Sequence, residues 1–149
     1  MEISMLGRAM QILLVEDDEI EAEAIRRSFR KYHLENVITV AADGLEALEL
    51  LSGRTRSGLA LQPDLILLDL NMPRMSGLEF LDVLRQDPQL RRSIVFVLTT
   101  SNREEDKVAA YDRQVAGYLV KSQLGEDFLR LTQLLDTYWH TIEFPPEAV

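Results

Sequence analysis

Asp69 follows the apolar run Leu65-Ile66-Leu67-Leu68, and Pro73 comes four residues later. Four apolar residues bounded by turn chemistry read as a strand buried on both faces, and the Pro cannot extend its ladder. Asp69 thus stands at the carboxyl end of a buried strand, where open α/β sheets place their ligand sites. Three other apolar runs end in the same way. Ile12-Leu13-Leu14-Val15 leads into Glu16-Asp17-Asp18, Ile94-Val95-Phe96-Val97-Leu98 into Thr99, and Tyr118-Leu119-Val120 into Lys121. If all four strands are parallel, these polar groups converge on one edge of a sheet.

Glu16, Asp17 and Asp69, brought together, cannot all stay ionised without a cation, because like charges raise one another's pKa. Their hard oxygen donors, with no His or Cys among them, favour Mg²⁺, with Mn²⁺ as the alternative, over zinc or copper. A carboxylate beside such an ion can itself accept a phosphoryl group as the nucleophile. That transfer needs little beyond positioning and charge neutralisation. The ion would cover one side of the phosphoryl group, the Lys121 ammonium a second, and the Thr99 hydroxyl would donate to a third oxygen.

The elements that must position these groups alternate along the chain. The first strand is about 11–15. Asp18 reads as a helix N-cap with Glu21 completing a capping box, and Ala22, Ile25, Phe29 and Tyr32 carry helix one to Tyr32. Val37 to Ala41 read as a strand, Asp43-Gly44 as a turn, and Leu45, Leu48 and Leu51 as the stripe of helix two. Ser52 to Pro63 is a long polar connection, either an ordered surface insertion or extra helix. Leu78, Leu81 and Leu84 mark helix three, which Pro88 ends. Strand four (94–98) leads through the capping pair Ser101-Asn102 into helix four, to about Arg113. Gly117 opens strand five, and Leu124 to Trp139 read as helix five. The alternation predicts a doubly wound five-stranded parallel sheet, with 1–10 as a lead-in, 11–138 as the domain and 139–149 as a C-terminal tail.

At 149 residues the chain suits one domain, and its 46% hydrophobic and 28% charged residues are those of a globular protein. No apolar stretch approaches the roughly 18 residues a membrane span needs, and the N-terminus lacks a signal-peptide core. The absence of Cys rules out disulfides and thiolate metal sites, and a cytoplasmic location is expected. The formal net charge of −9 argues against nonspecific nucleic-acid binding. Arg26, Arg27, Arg30 and Lys31 read as a solvated helix face, and His33 and His140 stand isolated.

These residues resemble a bacterial two-component response-regulator receiver domain over roughly residues 10–138. Thr99 lies 30 residues after Asp69, and Lys121 a further 22 after Thr99, matching the family's spacing from phosphoacceptor to hydroxyl to lysine. Val15-Glu16-Asp17, the run from Leu68-Asp69 to Ser76-Gly77, and Tyr118-Leu119-Val120-Lys121 fit its patterns. The resemblance implies a flavodoxin-like (βα)5 fold with strand order 2-1-3-4-5. It implies that Asp69 takes a phosphoryl group from the phosphohistidine of a sensor histidine kinase. Asp17 would bind the metal directly, Glu16 would help through water, and Asn71 would offer its backbone carbonyl. Thr99 and Lys121 would hold the phosphoryl oxygens, with Tyr118 as the aromatic that swings inward; on its residues alone Tyr118 is equally a core aromatic. The chain departs from the family at two places. Ser122 replaces the Pro that usually follows the lysine, often across a cis peptide, and Thr100 stands where a smaller residue is common. A narrower resemblance is to stand-alone regulators of cyanobacterial and bacterial phytochrome kinases. It rests on the 52–63 insertion, Leu98-Thr99-Thr100-Ser101, and a last helix ending in Tyr138-Trp139 before a Pro-containing tail. That group implies a homodimer with contacts from Tyr138, Trp139 and Phe144, although these aromatics could equally pack on their own domain.

Two rival functions remain open at this level. A phosphatase with an aspartate nucleophile generally needs a second Asp two residues on, and here that position is Asn71, which cannot shuttle a proton. A receiver-fold adaptor that is never phosphorylated would have no use for the Asp17, Asp69, Thr99 and Lys121 set. The chain's end soon after helix five leads us to expect no enzymatic or DNA-binding output, and signalling by protein contacts.

Overall fold

The computed structural model describes residues 8–146. Strands β1 (Met10–Val15), β2 (Asn36–Ala41), β3 (Leu65–Leu68), β4 (Val95–Thr99) and β5 (Gly117–Val120) form one sheet in the order β2-β1-β3-β4-β5. All neighbours pair in parallel. Helices α1 (Glu19–Lys31), α2 (Gly44–Ser52), α3 (Gly77–Gln86), α4 (Glu104–Asp112) and α5 (Leu129–Thr141) cover both faces. The expected flavodoxin-like doubly wound sheet is the one observed. Of the expected lead-in, residues 1–7 lie outside those described, and Met10 already belongs to β1.

The continuous apolar runs have a simple cause. Side chains alternate across the sheet, so Ile12, Leu14, Leu65, Leu67, Phe96 and Leu98 face α1 and α5. Leu13, Val15, Ile66, Leu68, Val95 and Val97 face α2, α3 and α4. Both faces are covered, so the central strands β3 and β4 stay apolar until they end. Truncating Leu67 or Ile66, both fully buried, to Ala would cost about 2–5 kcal/mol.

Three local expectations need correction. Asp18 does cap α1, accepting from the Ile20 and Glu21 N–H groups, but Glu21 does not close a capping box. The Glu21 side chain turns instead to Lys121, whereas Ser76 and Glu79 do close a box at α3. Ser101 is not the cap of α4: that position is Arg103, without a side-chain cap, while the Ser101 hydroxyl accepts from the Arg103 N–H at 3.3 Å and contacts Asp106. Helix five begins at Leu129 rather than Leu124. Two short 3₁₀ turns, Lys121–Gln123 and Glu126–Phe128, occupy the gap, and Gly125, Asp127 and Phe128 all have positive φ. A helix cannot pass through such residues.

The long connection 53–64 contains no helix. Gly53 ends α2 in the left-handed conformation with φ of +77°, and the Leu61 N–H reaches back to Leu50 O at 2.9 Å. Asp64 finally donates its N–H to Gln11 O at 2.7 Å and pairs with Arg8 at 2.7 Å. The Arg8 guanidinium lies 5.4 Å from the centre of the buried Trp139 ring. Among the described residues no helix is long and apolar enough to cross a membrane.

Candidate functional site

The register of the sheet assembles the site. Val15 pairs with Leu68, so the next residues, Glu16 and Asp69, emerge side by side. Their backbones are pinned there, Asp69 N–H to Val15 O at 3.0 Å and Glu16 N–H to Ala41 O at 2.9 Å. Thr99 pairs with Val120, which sets Lys121 one step beyond it on the same edge. Three strand ends thus supply one acidic cluster with one ammonium group, and β4 ends in Thr99.

Lys121 is the hub. Its Nζ donates to Glu16 Oε2 at 3.2 Å and to Asp69 Oδ2 at 3.3 Å, and it also contacts Glu21. Only 8% of its side chain is exposed. Asp69 accepts a further bond, from the Asn71 N–H to Oδ1 at 3.2 Å. Glu16, Asp17 and Asp69 each offer an oxygen, all within 4.8 Å of one another, with Glu16 and Asp69 buried and Asp17 exposed. One positive charge cannot neutralise this many carboxylates. Burial, together with hydrogen bonding to Asp69 and Glu21 and the Asp69 charge, pushes Glu16 up to about 9, against only a lowering by Lys121. Burial pulls Lys121 down, but the bond to Glu21 and the charges of Asp69 and Glu16 outweigh it, and its pKa is raised. A carboxyl group made to keep its proton by burial and by neighbouring carboxylates fits a site suited to a divalent cation. The all-oxygen donor set fits a hard ion.

The loop after β3 is held by a close approach. The Gly77 N–H donates to Leu70 O at 2.9 Å. A Cβ on Gly77 would meet the Asp69 carbonyl oxygen and lie 2.7 Å from Leu70 Cα. Only glycine lets α3 begin so near the phosphoacceptor candidate. Arg74, with φ of +62°, pairs with Asp43 at 2.5 Å. The Asp43 carboxylate caps α2 through the Glu46 N–H at 3.0 Å, and its bond from Arg74 holds its pKa below the usual range despite burial.

Thr99 is fully buried, and its hydroxyl accepts from the Ser101 N–H at 3.5 Å. Tyr118 packs on the α2–α3–α4 side of the sheet and donates its hydroxyl to Ser101 O at 2.9 Å. Ser101, foreseen only as a cap, therefore joins the Thr99 backbone turn to Tyr118. Glu21 is the other residue that sequence reasoning misplaced: it was read as closing the cap of α1, and its carboxylate meets Lys121 instead. The Lys121–Ser122 peptide is trans, as are all others described. Thr100 is exposed. Tyr138, Trp139 and Phe144 form edge-on aromatic pairs within the chain: Phe96–Tyr138 at 5.3 Å, Tyr138–Phe144 at 5.5 Å and Trp139–Phe144 at 5.2 Å.

Comparison with known proteins agrees with this geometry. The family model for the response regulator receiver domain matches residues 12–133. Response regulator Rcp1 of Synechocystis sp. is 35% identical over 135 residues, covering 90% of this chain and 92% of its own. A crystal structure of the Mn²⁺-bound form of Rcp1 superposes with a TM-score of 0.81 at 34% identity, over 92% of this chain and 99% of that one. The phosphorylated cyanobacterial phytochrome response regulator RcpA gives 0.83 at 32% identity, over 93% and 99%. An acidic strand-end cluster, a lysine at its centre and a matching sheet on matching sequence leave one assignment: the chain belongs to the response regulator receiver domain family.

Proposed function

We propose that this chain accepts a phosphoryl group on Asp69 from the phosphohistidine of a sensor histidine kinase. The single observation that carries the reading is the Lys121 ammonium 3.3 Å from Asp69 Oδ2, beside an oxygen-only cluster. In the transfer, an Asp69 oxygen attacks phosphorus while the P–N bond breaks and the imidazole leaves with the electron pair. Lys121 and the Thr99 hydroxyl hold the phosphoryl oxygens, and Tyr118 follows Thr99 as a switch. Asp17, Asp69, the Asn71 backbone carbonyl and Glu16, through water, would hold Mg²⁺ or Mn²⁺. When bound, the ion supplies the positive charge that lets the carboxylates ionise and the anionic donor approach.

The likeness to Rcp1 and RcpA favours a phytochrome-type kinase as donor. The protein acts by protein–protein contacts in a phosphorelay, in the cytoplasm, and its only chemistry is self-catalysed transfer and loss of phosphate. We assign 11–138 to the receiver unit and 139–149 to a tail that serves a homodimer. Tyr138 and Phe144 would touch the partner copy, while Trp139, 2% exposed, would shape the surface from beneath.

A small phosphodonor with Mg²⁺ tests this directly. Wild type should be labelled, and Asp69→Asn should abolish labelling, read by intact mass. A wild type that resists conditions labelling an ordinary receiver would favour the unphosphorylated adaptor, and sustained turnover of a generic phosphate ester would favour the phosphatase. Sedimentation of the full chain against one ending at Thr141 should show loss of the larger species; equal masses would refute the tail's part in a dimer.

A further inference from the structure

Glu21 occupies the third position of α1 and does not close a capping box there. Its carboxylate contacts Lys121 Nζ more closely than Glu16 or Asp69 does. Its side chain is 30% exposed against 3% for Glu16 and 9% for Asp69, so it approaches the ammonium from the solvent side. The phosphoacceptor reading gives Lys121 a single task, to bind an oxygen of the phosphoryl group on Asp69. An ammonium already bound by a part-exposed carboxylate must change partners before it can do so.

We propose that Glu21 is a positioning residue that competes with the incoming phosphoryl group for Lys121 and thereby slows phosphoryl gain at Asp69. The inference rests on the phosphoacceptor reading above and adds a residue to it. No proton moves: Lys121 keeps its charge and exchanges a carboxylate oxygen for a phosphoryl oxygen, while the P–O bond to Asp69 forms and the donor's leaving group departs with its electron pair. Glu21 then turns to water, which its exposure allows and which Glu16 could not do without a buried charge being left unpaired.

The test uses the full chain at saturating Mg²⁺, with acetyl phosphate as donor and beryllofluoride as a phosphoryl mimic that needs no transfer step. Glu21→Gln should raise the labelling rate and the beryllofluoride affinity about fivefold, the scale of a part-exposed ion pair. In the Lys121→Met background the same substitution should leave beryllofluoride affinity unchanged. An unchanged rate and affinity in the single variant would overturn the proposal. An equal gain with Lys121→Met would also overturn it, because Glu21 would then act only as bulk charge. A weakened Mg²⁺ affinity with slower labelling would do the same by making Glu21 a metal ligand, since Glu16, Asp18 and Glu21 also place oxygens within 4.8 Å of one another. If wild type itself neither labels nor binds beryllofluoride, it is the phosphoacceptor reading that fails.

Discussion

Arg85 and Lys121 are both cations withdrawn from water, and the chain satisfies them in opposite ways. Arg85 donates to four backbone carbonyls: Arg113 at 2.9 Å, Arg91 at 2.8 Å, Ser93 at 2.7 Å and Gln114 at 2.9 Å. Among the described residues no carboxylate pairs with it, and burial alone lowers its pKa. Lys121 meets three carboxylates. Neutral carbonyls bound to a planar guanidinium make a fixed joint between the end of α3 and the loops that lead into β4 and β5. Carboxylates bound to a rotatable ammonium compete with one another and with any other anion, so that arrangement can be rearranged. One cation serves the architecture, and the other is available for chemistry.

The largest expected effects separate these roles. Arg85→Met should lose about 2 kcal/mol of unfolding free energy, because the part-buried carbonyls of Arg113 and Ser93 lose their donor, while labelling of Asp69 per folded molecule stays near wild type. Lys121→Met should do the reverse at saturating Mg²⁺, with labelling slowed at least about tenfold and a smaller loss of stability than in Arg85→Met, because the bound ion still neutralises the buried carboxylates. Denaturant titration beside a labelling time course reads both. Comparable losses of stability would erase the distinction.

The ion comes next. Mg²⁺ at about 100 times its dissociation constant should stabilise wild type by about 2.7 kcal/mol, and most of that should vanish in Asp17→Asn. In Arg85→Met the increment should persist, because that joint lies apart from the carboxylates. Thermal melts with and without the ion check this.

A further effect follows from pH. In metal-free protein Glu16 lies near 9 against 4.5 unperturbed, so the folded state holds that proton more tightly than the unfolded one. Its contribution to stability is complete below about 4.5 and is lost as pH rises through about 9. Metal-free wild type should therefore weaken between pH 5 and 9, and Glu16→Gln should be flatter. A steeper dependence in the variant would show that Glu16 is not the group responsible. Smallest is Asp43→Ala, which removes the α2 cap and the Arg74 pair; it should cost about 1 kcal/mol with little change in labelling.

What could be read without coordinates was whatever depends on a strand ending. Asp69 and Lys121 stand out because a charge after a doubly buried run has few places to go, and the order of apolar runs dictated the sheet. The start of α5 was hidden because left-handed Asp127 and Phe128 leave no compositional trace, and apolar periodicity continued through Leu124 and Phe128. Arg85 was unreadable for a different reason: its partners are backbone oxygens, which every sequence has everywhere. Glu21 fell between the two cases, visible as an acid near a helix start but assignable to Lys121 only once the first turn of α1 and the end of β5 are seen to meet.

The sole tryptophan of the chain, Trp139, lies beneath Arg8 from one chain end and Phe144 from the other. Its emission therefore watches the seam where the two ends of the fold close over the last helix, far in sequence from the acidic cluster. Shifts in that signal would register the seam parting, so the protein carries its own gauge for whether events at Asp69 loosen the opposite edge of the molecule.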